Sequence, residues 1–208
     1  MSFYAFLGCD GSGKSAVIER LTSRMRDGGV EVTCGHWRPQ AFRRHDSDEL
    51  KKTAEDPHGQ IPRGTLSSIL KLAWLGLNWW CGWWRGLARA SRHGVVLFDR
   101  YHGDLVVDPR RYRYGGPMSL AKFASHVMPQ PDIVFFLDAE PEVLLGRKQE
   151  VSPEALAVSR SAYLKMAEEN PRVQVVDAGR ELDEVVDHVY KLMNQEREGG
   201  GSNEALDD

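Results

Sequence analysis

Five short apolar runs, rich in β-branched and aromatic residues, recur along the chain between segments with helical periodicity. They are Phe3 to Leu7, Val30 to Cys34, Val95 to Phe98, Ile133 to Leu137 and Val173 to Val176. Strands that are apolar on both faces and alternate with helices form parallel sheets with helices on either side. The pattern therefore predicts an α/β fold, a three-layer sandwich around a five-stranded parallel sheet.

Helical spacing of apolar residues marks the first and last helices. The first is predicted from Lys14 to Arg26 and the last from Leu182 to Asn194. The acidic, glycine-rich tail from Glu196 to Asp208 has few apolar residues, so we expect it to be disordered. The charged segment from Gln40 to Arg63 is expected to be a loop or short-helix insertion. The rest, residues 1–195, is expected to be one domain.

A long helix is predicted from Thr65 to Arg92, and it holds five of the six tryptophans. Its apolar stretch, Leu72 to Trp84, is too short to cross a bilayer and is interrupted by Asn78. Adjacent tryptophan pairs surround most of the helix, so one face cannot bury them all. Three interpretations stay open: a helix buried on several sides, a homodimer interface, or a helix lying on a membrane surface, which the flanking cations would favour.

Composition and charge restrict the class of protein. A chain of 208 residues with 41% hydrophobic and 27% charged residues is typical of a globular domain. The net charge of −3 provides no overall basic field, so we expect no nucleic-acid partner. The three cysteines have unrelated spacings, which indicates reduced thiols and a cytoplasmic protein. No basic leader precedes the first strand, so we expect no secretory signal.

The strongest motif is Gly8 to Ser15, which reads Gly-Cys-Asp-Gly-Ser-Gly-Lys-Ser between the first strand and the first helix. In such a phosphate loop, backbone N–H groups and the helix dipole face phosphate oxygens. Lys14 would reach the β and γ phosphates, and the Ser15 hydroxyl would bind Mg²⁺. The alternatives are a glycine-rich turn without a ligand, and a dinucleotide fingerprint over Gly11 to Ala16, which lacks the expected acid after the second strand.

A second group of motifs gives the chain a family resemblance. Asp99-Arg100-Tyr101 follows the third strand, Asp10 lies inside the phosphate loop, and Arg38 follows the second strand. With the block from Pro131 to Arg147, these residues resemble the thymidylate kinase family. The resemblance covers most of the chain outside its middle. It implies a P-loop kinase with sheet order 2-3-1-4-5 and a substrate crevice at the carboxyl ends of the strands.

The resemblance also implies roles for individual residues. ATP and Mg²⁺ are the expected cofactors, and Ser15 and Asp99 the expected metal-binding residues. The expected catalytic residues are Lys14, Asp99, Arg100 and Arg147, the last of them opening a lid near 146–160. The expected ATP-binding residues are Gly8, Cys9, Asp10, Gly11, Ser12, Gly13, Lys14, Ser15 and Ala16. The family also pairs through helices that include the tryptophan-rich region, which implies a homodimer.

The sequence departs from the family on the acceptor side. The segment after the second strand lacks the usual acid and glycines, and no cation stands near Asn78 to Trp79 on the long helix. The segment Asp108 to Gly116 instead interleaves three arginines with two tyrosines. This cluster would bind an anionic acceptor, stack on a sugar or base, or lie idle at the surface. The expected acceptor-binding residues are Asp10, Arg38, Arg100, Tyr101, Arg110 and Arg111.

These departures leave the acceptor open. A nucleoside monophosphate, similar to dTMP, is the favoured acceptor, and a hydroxyl of a sugar, glycan or other small metabolite is the alternative. A phosphate acceptor needs only cationic clamps, whereas a hydroxyl needs a carboxylate to take its proton. A nucleotide-dependent switch is a third class, but the chain has no Asn-Lys-x-Asp guanine motif.

Overall fold

The computed structural model describes residues 1–39, 62–147 and 152–203, with side chains to residue 198. Its sheet has five parallel strands in the order β2-β3-β1-β4-β5, which confirms the expected topology. The strands are β1 Phe3–Leu7, β2 Val32–His36, β3 Val95–Asp99, β4 Ile133–Asp138 and β5 Val173–Asp177. In register, Asp99 lies opposite both Phe6 and His36, so the carboxyl ends of β1, β2 and β3 meet at one edge.

Helices surround the sheet. They are α1 Lys14–Asp27, α2 Thr65–Gly82, α3 Ala88–His93, α4 Asp104–Val107, α5 Met118–Val127, α6 Pro141–Arg147, α7 Pro153–Glu169 and α8 Leu182–Asn203. A π-helical turn, Trp83–Leu87, joins α2 to α3, so the predicted long helix forms with one local change of pitch. Neighbouring residues of β1 point to opposite layers: the Phe3 ring lies 6.2 Å from Trp79 of α2. The Tyr4 hydroxyl donates to the Met193 carbonyl of α8.

The last helix corrects one expectation. α8 continues to Asn203, nine residues beyond the predicted end at Asn194, so the part of the tail from Glu196 to Asn203 is helical rather than disordered. The residues after Asn194 include glutamine, glutamate and arginine, which are good helix formers, and extending an existing helix by one residue requires no new nucleation. Residues 204–208 lie outside the described residues.

A glycine lets α2 approach the segment that leaves β2. A Cβ on Gly82 would lie 2.2 Å from the Cβ of Pro39, far inside van der Waals contact. The close approach fixes the exit of β2 against α2. As a consequence, the side chains of Trp37 and Arg38 lie beside this helix, at the same edge of the sheet as the end of β3.

The tryptophans of α2 and the π turn divide between the core and the surface. Trp79 is buried against Phe98, and Trp83 is half-buried, but Trp74, Trp80 and Trp84 are 41%, 40% and 75% exposed. A helix buried on several sides is therefore the wrong interpretation, because one apolar face stays open. Within the parts of the chain that the structure describes, no helix is long and apolar enough to cross a membrane.

The packing of β2 on β3 generates a stability prediction at Gly35. A Cβ at Gly35 would lie 2.4 Å from the Phe98 ring, which Phe3 and Trp79 hold from other sides. We expect Gly35→Ala to lower the free energy of unfolding by about 2 kcal/mol, measured by urea denaturation, because the ring has no room to move. The matched control is Gly146→Ala in α6, where a Cβ meets no atom within 4 Å. Equal stability of the two variants would contradict this packing.

Candidate active site

The loop after β1 has the backbone geometry that its glycines permit. Gly8, Gly11 and Gly13 have φ values of 149°, 88° and 81°, a region that other residues rarely adopt. A Cβ on Gly8 would lie 2.6 Å from the Ser12 hydroxyl oxygen and 2.7 Å from the Leu137 carbonyl oxygen. The loop is thus tightly folded between β1, β4 and α1, and its shape fits the phosphate-binding cradle expected from Gly8 to Ser15.

Lys14 is buried at the start of α1 and points back into this loop. Its ammonium donates to the carbonyls of Gly8 and Cys9, both at 3.0 Å, and to the Ser12 hydroxyl at 3.3 Å. Burial, together with the nearby Arg100 charge, lowers the pKa of Lys14 to about 8. Below this pKa the amine is protonated, so it places a positive charge within the loop, where the phosphates of a nucleotide would bind.

Ser15 and Asp99 meet at the carboxyl end of β3. The Ser15 hydroxyl donates to Asp99 Oδ2 at 3.3 Å. Asp99 Oδ1 is buried and has no hydrogen-bond partner among the described residues. One hydroxyl and one unsatisfied carboxylate oxygen beside a phosphate loop suit Mg²⁺, which usually binds through one or two protein groups together with substrate phosphates and water. These two residues fit the expected metal site.

Asp10 lies between two arginines at the mouth of the loop. Arg100 donates to Asp10 Oδ1 at 2.9 Å, and Arg111 donates to Asp10 Oδ2 at 2.8 Å. Burial alone would raise the pKa of Asp10, but the charges of Arg111, Arg100 and Lys14 outweigh it and hold the pKa well below its usual range. The loop is therefore joined directly to two residues of the expected acceptor side.

A fully buried carboxylate, Asp104, belongs to the same cluster. It accepts hydrogen bonds from Arg100 at 2.8 Å and from the hydroxyls of Tyr112 and Tyr163. Burial raises the pKa of Asp104, but the Arg100 charge and the tyrosine hydrogen bonds lower it below its usual value. Its supporting role was missed in the sequence, although its place four residues after Arg100, at the start of α4, was a usable signal.

A cleft opens beside this cluster, between α2 and the loop that follows α4. We call it the α2 cleft; its wall includes Trp37, Lys71, Leu75, Tyr112, Arg113 and Tyr114. The Trp37 and Tyr112 rings stack with centroids 4.7 Å apart. Three non-glycine residues of the described chain have positive φ, namely Trp37, Arg100 and Arg113, and all three lie at the cleft or at the adjoining cluster. Strained backbone of this kind concentrates at functional sites.

Several expected site residues are placed elsewhere. Arg38 lies over the Trp74 ring at 5.0 Å instead of beside Arg100, because the chain turns sharply at Trp37. Tyr101 is 2% exposed and belongs to the hydrophobic core, so it offers an acceptor almost no surface. Arg110 is exposed and outside the Asp10 cluster. Ala16 is exposed on the first turn of α1, next to Ser15.

The expected lid is only partly described. Arg147, at the end of α6, donates to the Ala178 carbonyl at 2.9 Å, which holds it near the end of β5. Residues 148–151, in the first half of the expected lid, lie outside the described residues. Arg160 of α7 binds Asp138 through two hydrogen bonds of 2.7 and 2.9 Å, a pair that the sequence did not indicate.

Lys71 is a cation of the cleft that the sequence did not indicate. The expected place for a helix cation, Asn78 to Trp79, is buried and holds none. Lys71 stands about two turns earlier in α2 and lines the cleft with Arg113. One feature of the sequence could have indicated it: Lys71 is the only charged residue between Thr65 and Trp84.

Comparisons with known proteins support the fold and the resemblance to thymidylate kinases, although no protein-family model matches the chain. A thymidylate kinase of Ligilactobacillus salivarius is 26% identical over 207 residues, which cover 92% of this chain and 97% of the relative. A probable thymidylate kinase of Archaeoglobus fulgidus is 25% identical over 201 residues, covering 89% and 91%. A solved thymidylate kinase structure from Ehrlichia chaffeensis shares the fold, with a TM-score of 0.61 at 19% identity over 92% of this chain and 98% of that one. These similarities support a thymidylate kinase-like family for this chain and indicate that it is a kinase.

Proposed function

We propose that this kinase transfers the γ-phosphoryl group of ATP, bound with Mg²⁺, to a small acceptor, and that a nucleoside monophosphate is the favoured acceptor. The observation that carries the proposal is the position of Asp10. A residue of the phosphate loop is bonded to Arg100 at 2.9 Å and to Arg111 at 2.8 Å, so donor and acceptor groups share one cluster. Phosphoryl transfer depends mainly on such alignment and on positive charge near the transferred group.

On the donor side, the roles follow from the loop. The N–H groups between Gly8 and Ser15 and the start of α1 would hold the triphosphate, and Lys14 would neutralise its terminal oxygens. Ser15 and Asp99 would hold the Mg²⁺, which supplies charge neutralisation to the β and γ phosphates when bound. Lys14, at the centre of the loop, is the residue whose charge this arrangement needs most.

The chemistry of the carboxylates favours a phosphate acceptor over a hydroxyl. A hydroxyl acceptor needs a general base, and an effective base has a pKa near the working pH. Asp10 and Asp104 both have lowered pKa values because arginines bind them, so they are poor proton acceptors. Asp99 is assigned to the metal. A phosphate acceptor is already an anion, and Arg100 and Arg111 are suited to orient it.

The first prediction concerns the reaction itself. With Mg²⁺ and ATP, ADP release should rise with at least one nucleoside monophosphate and should not rise with a panel of sugars. Lys14→Ala should lower kcat by about a hundredfold or more, because a charge that stabilises the transition state is lost. The control is Lys165→Ala, which removes an exposed lysine of α7. Turnover with sugars alone would overturn the assignment of the acceptor.

A second prediction separates two neighbouring arginines. Arg111→Gln removes a guanidinium bonded to Asp10 and should raise the KM for the acceptor about tenfold, with less than a twofold change in the KM for ATP. Arg110→Gln is the matched comparison, because that side chain is exposed and lies outside the cluster. If both variants change the acceptor KM equally, the pairing with Asp10 is not what positions the acceptor.

The exposed face of α2 supports a homodimer as part of this proposal. Its exposed residues from Leu66 to Trp84 include no charged side chain and extend over about 27 Å. They are Leu66, Ser67, Leu70, Ala73, Trp74, Leu77, Trp80 and Trp84. A helix on an anionic membrane needs cations along its flanks. Lys71 lines the cleft instead, and the remaining cations, Arg85, Arg89 and Arg92, lie at one end. We therefore favour a second copy of this chain, rather than a membrane surface, as the partner of this uncharged face.

A third prediction tests this interface. Leu70→Glu combined with Leu77→Glu should convert a dimer to a monomer in sedimentation experiments, because two carboxylates would be buried at the interface. Val158→Glu, an exposed apolar residue of α7, is the control and should leave the dimer intact. If the wild-type chain is a monomer and binds anionic phospholipid vesicles through this face, the dimer proposal is wrong and the face is a membrane contact.

The chemistry of the cysteines supports a reducing compartment for this reaction. Cys9, Cys34 and Cys81 are free thiols, and the first is buried within the phosphate loop. From these thiols and from the net charge of −3, we infer that the protein is a cytoplasmic kinase without a nucleic-acid partner.

A further inference from the structure

We propose that Tyr163 of α7 is a positioning residue for the acceptor, because its hydroxyl fixes the orientation of the Arg100 guanidinium that would bind the acceptor's anionic group. The inference rests on the proposed function, which it deepens by adding a residue that acts on the acceptor without touching it. Tyr163 is only 3% exposed, so it offers a bound substrate almost no surface. Its effect on the reaction must therefore pass through its neighbours.

The first support is the pair of contacts that the Tyr163 hydroxyl makes. It donates a hydrogen bond to Asp104 Oδ1 and accepts one from Arg100 Nη1 at 3.3 Å. The same nitrogen of Arg100 donates to Asp104 Oδ2 at 2.8 Å. The three groups form a closed triangle of hydrogen bonds, which fixes the guanidinium relative to the carboxylate. Tyr112 differs, because its hydroxyl donates to the Oδ2 atom that Arg100 already uses.

The second support is the dependence of Arg100 on its partners. Its φ of 63° lies in a region that residues other than glycine rarely adopt, and its side chain is buried, so little water is available to replace a lost partner. Its other terminal nitrogen donates to Asp10 Oδ1 of the phosphate loop at 2.9 Å. A guanidinium is planar and holds its donors in fixed directions. A rotation that releases Asp104 therefore also moves the nitrogen at Asp10.

The third support is the anchoring of the Tyr163 ring outside this cluster. The ring stacks on Phe136 of β4, with centroids 5.0 Å apart and an angle of 23° between the planes. Burial and the Asp104 charge raise the pKa of Tyr163 well above its usual value, so the hydroxyl keeps its proton. A fixed ring with a permanent proton is suited to hold a carboxylate in one orientation. Tyr163→Phe would remove the hydroxyl and leave the stacked ring.

A comparison of two buried tyrosines tests the role in the reaction. Tyr163→Phe should raise the KM of whichever nucleoside monophosphate supports ADP release about fivefold, the effect of one lost hydrogen bond, with less than a twofold change in the KM for ATP. Tyr4→Phe is the matched control, because Tyr4 is also buried and its hydroxyl donates to the Met193 carbonyl, away from the cluster. Equal acceptor KM values in the two variants would indicate a purely structural tyrosine and overturn the proposal.

A double-variant cycle tests whether Tyr163 acts through Arg100. Arg100→Lys keeps a positive charge beside Asp104 but has one nitrogen, which cannot bridge Asp104 and Asp10 as a guanidinium does. Affinity for the same acceptor is measured by calorimetry, so the comparison needs no turnover. Adding Tyr163→Phe to Arg100→Lys should weaken binding less than twofold. A further fivefold loss would show that Tyr163 acts by another route and would contradict the proposal.

Arginine side-chain NMR tests the orientation without a substrate. In the full wild-type chain, the two terminal nitrogens of Arg100 should give separate signals because both are held, and Arg100→Lys identifies these signals by their loss. Tyr163→Phe should speed rotation about the Nε–Cζ bond about fivefold, and Tyr4→Phe should not. Unchanged rotation in Tyr163→Phe would overturn the proposal. If no acceptor supports turnover, the proposed function fails, whereas this measurement still decides whether Tyr163 orients Arg100.

Discussion

The charge of Asp104 is buried completely, and the cluster of Arg100, Tyr112 and Tyr163 is arranged around it. Removing a carboxylate from water costs several kcal/mol unless hydrogen bonds and an opposite charge replace the solvent. Arg100 supplies the charge, and Tyr112 and Tyr163 supply hydroxyls. These partners come from the exit of β3, the loop after α4, and α7. Because these partners offset the cost of burying the carboxylate, the distant helix α7 must dock against the segment that runs from Arg100 to Tyr112.

The same guanidinium carries this constraint to the phosphate loop. One terminal nitrogen of Arg100 binds Asp104 and the other binds Asp10. The loop that would hold the donor and the residues that would hold the acceptor are thus connected through a single planar group. The Asp104 and Asp10 carboxylates are therefore separated by one guanidinium and two hydrogen bonds.

The sequence predicts the sheet and the loop well because their determinants are local. Apolar runs such as Phe3 to Leu7 are continuous, and Gly8 to Ser15 contains every residue type that its geometry needs. Lys71 was not predictable in this way, since its neighbours Arg38 and Arg113 come together only after α2 has docked. Tyr101 shows the opposite error: the resemblance assigns a role to the residue type, but packing places its ring in the core.

The positive φ values of Trp37, Arg100 and Arg113 have a consequence for how this protein could change. Each such residue costs the folded state about 1 kcal/mol relative to glycine at the same conformation. Replacing any of them by glycine would relieve strain but would remove an aromatic ring or a guanidinium from the acceptor side. At Arg100 the loss would exceed the relief, because the buried Asp104 carboxylate would be left without its counter-charge. The contacts of the side chain, rather than the preference of the backbone, therefore determine the residue type at this position.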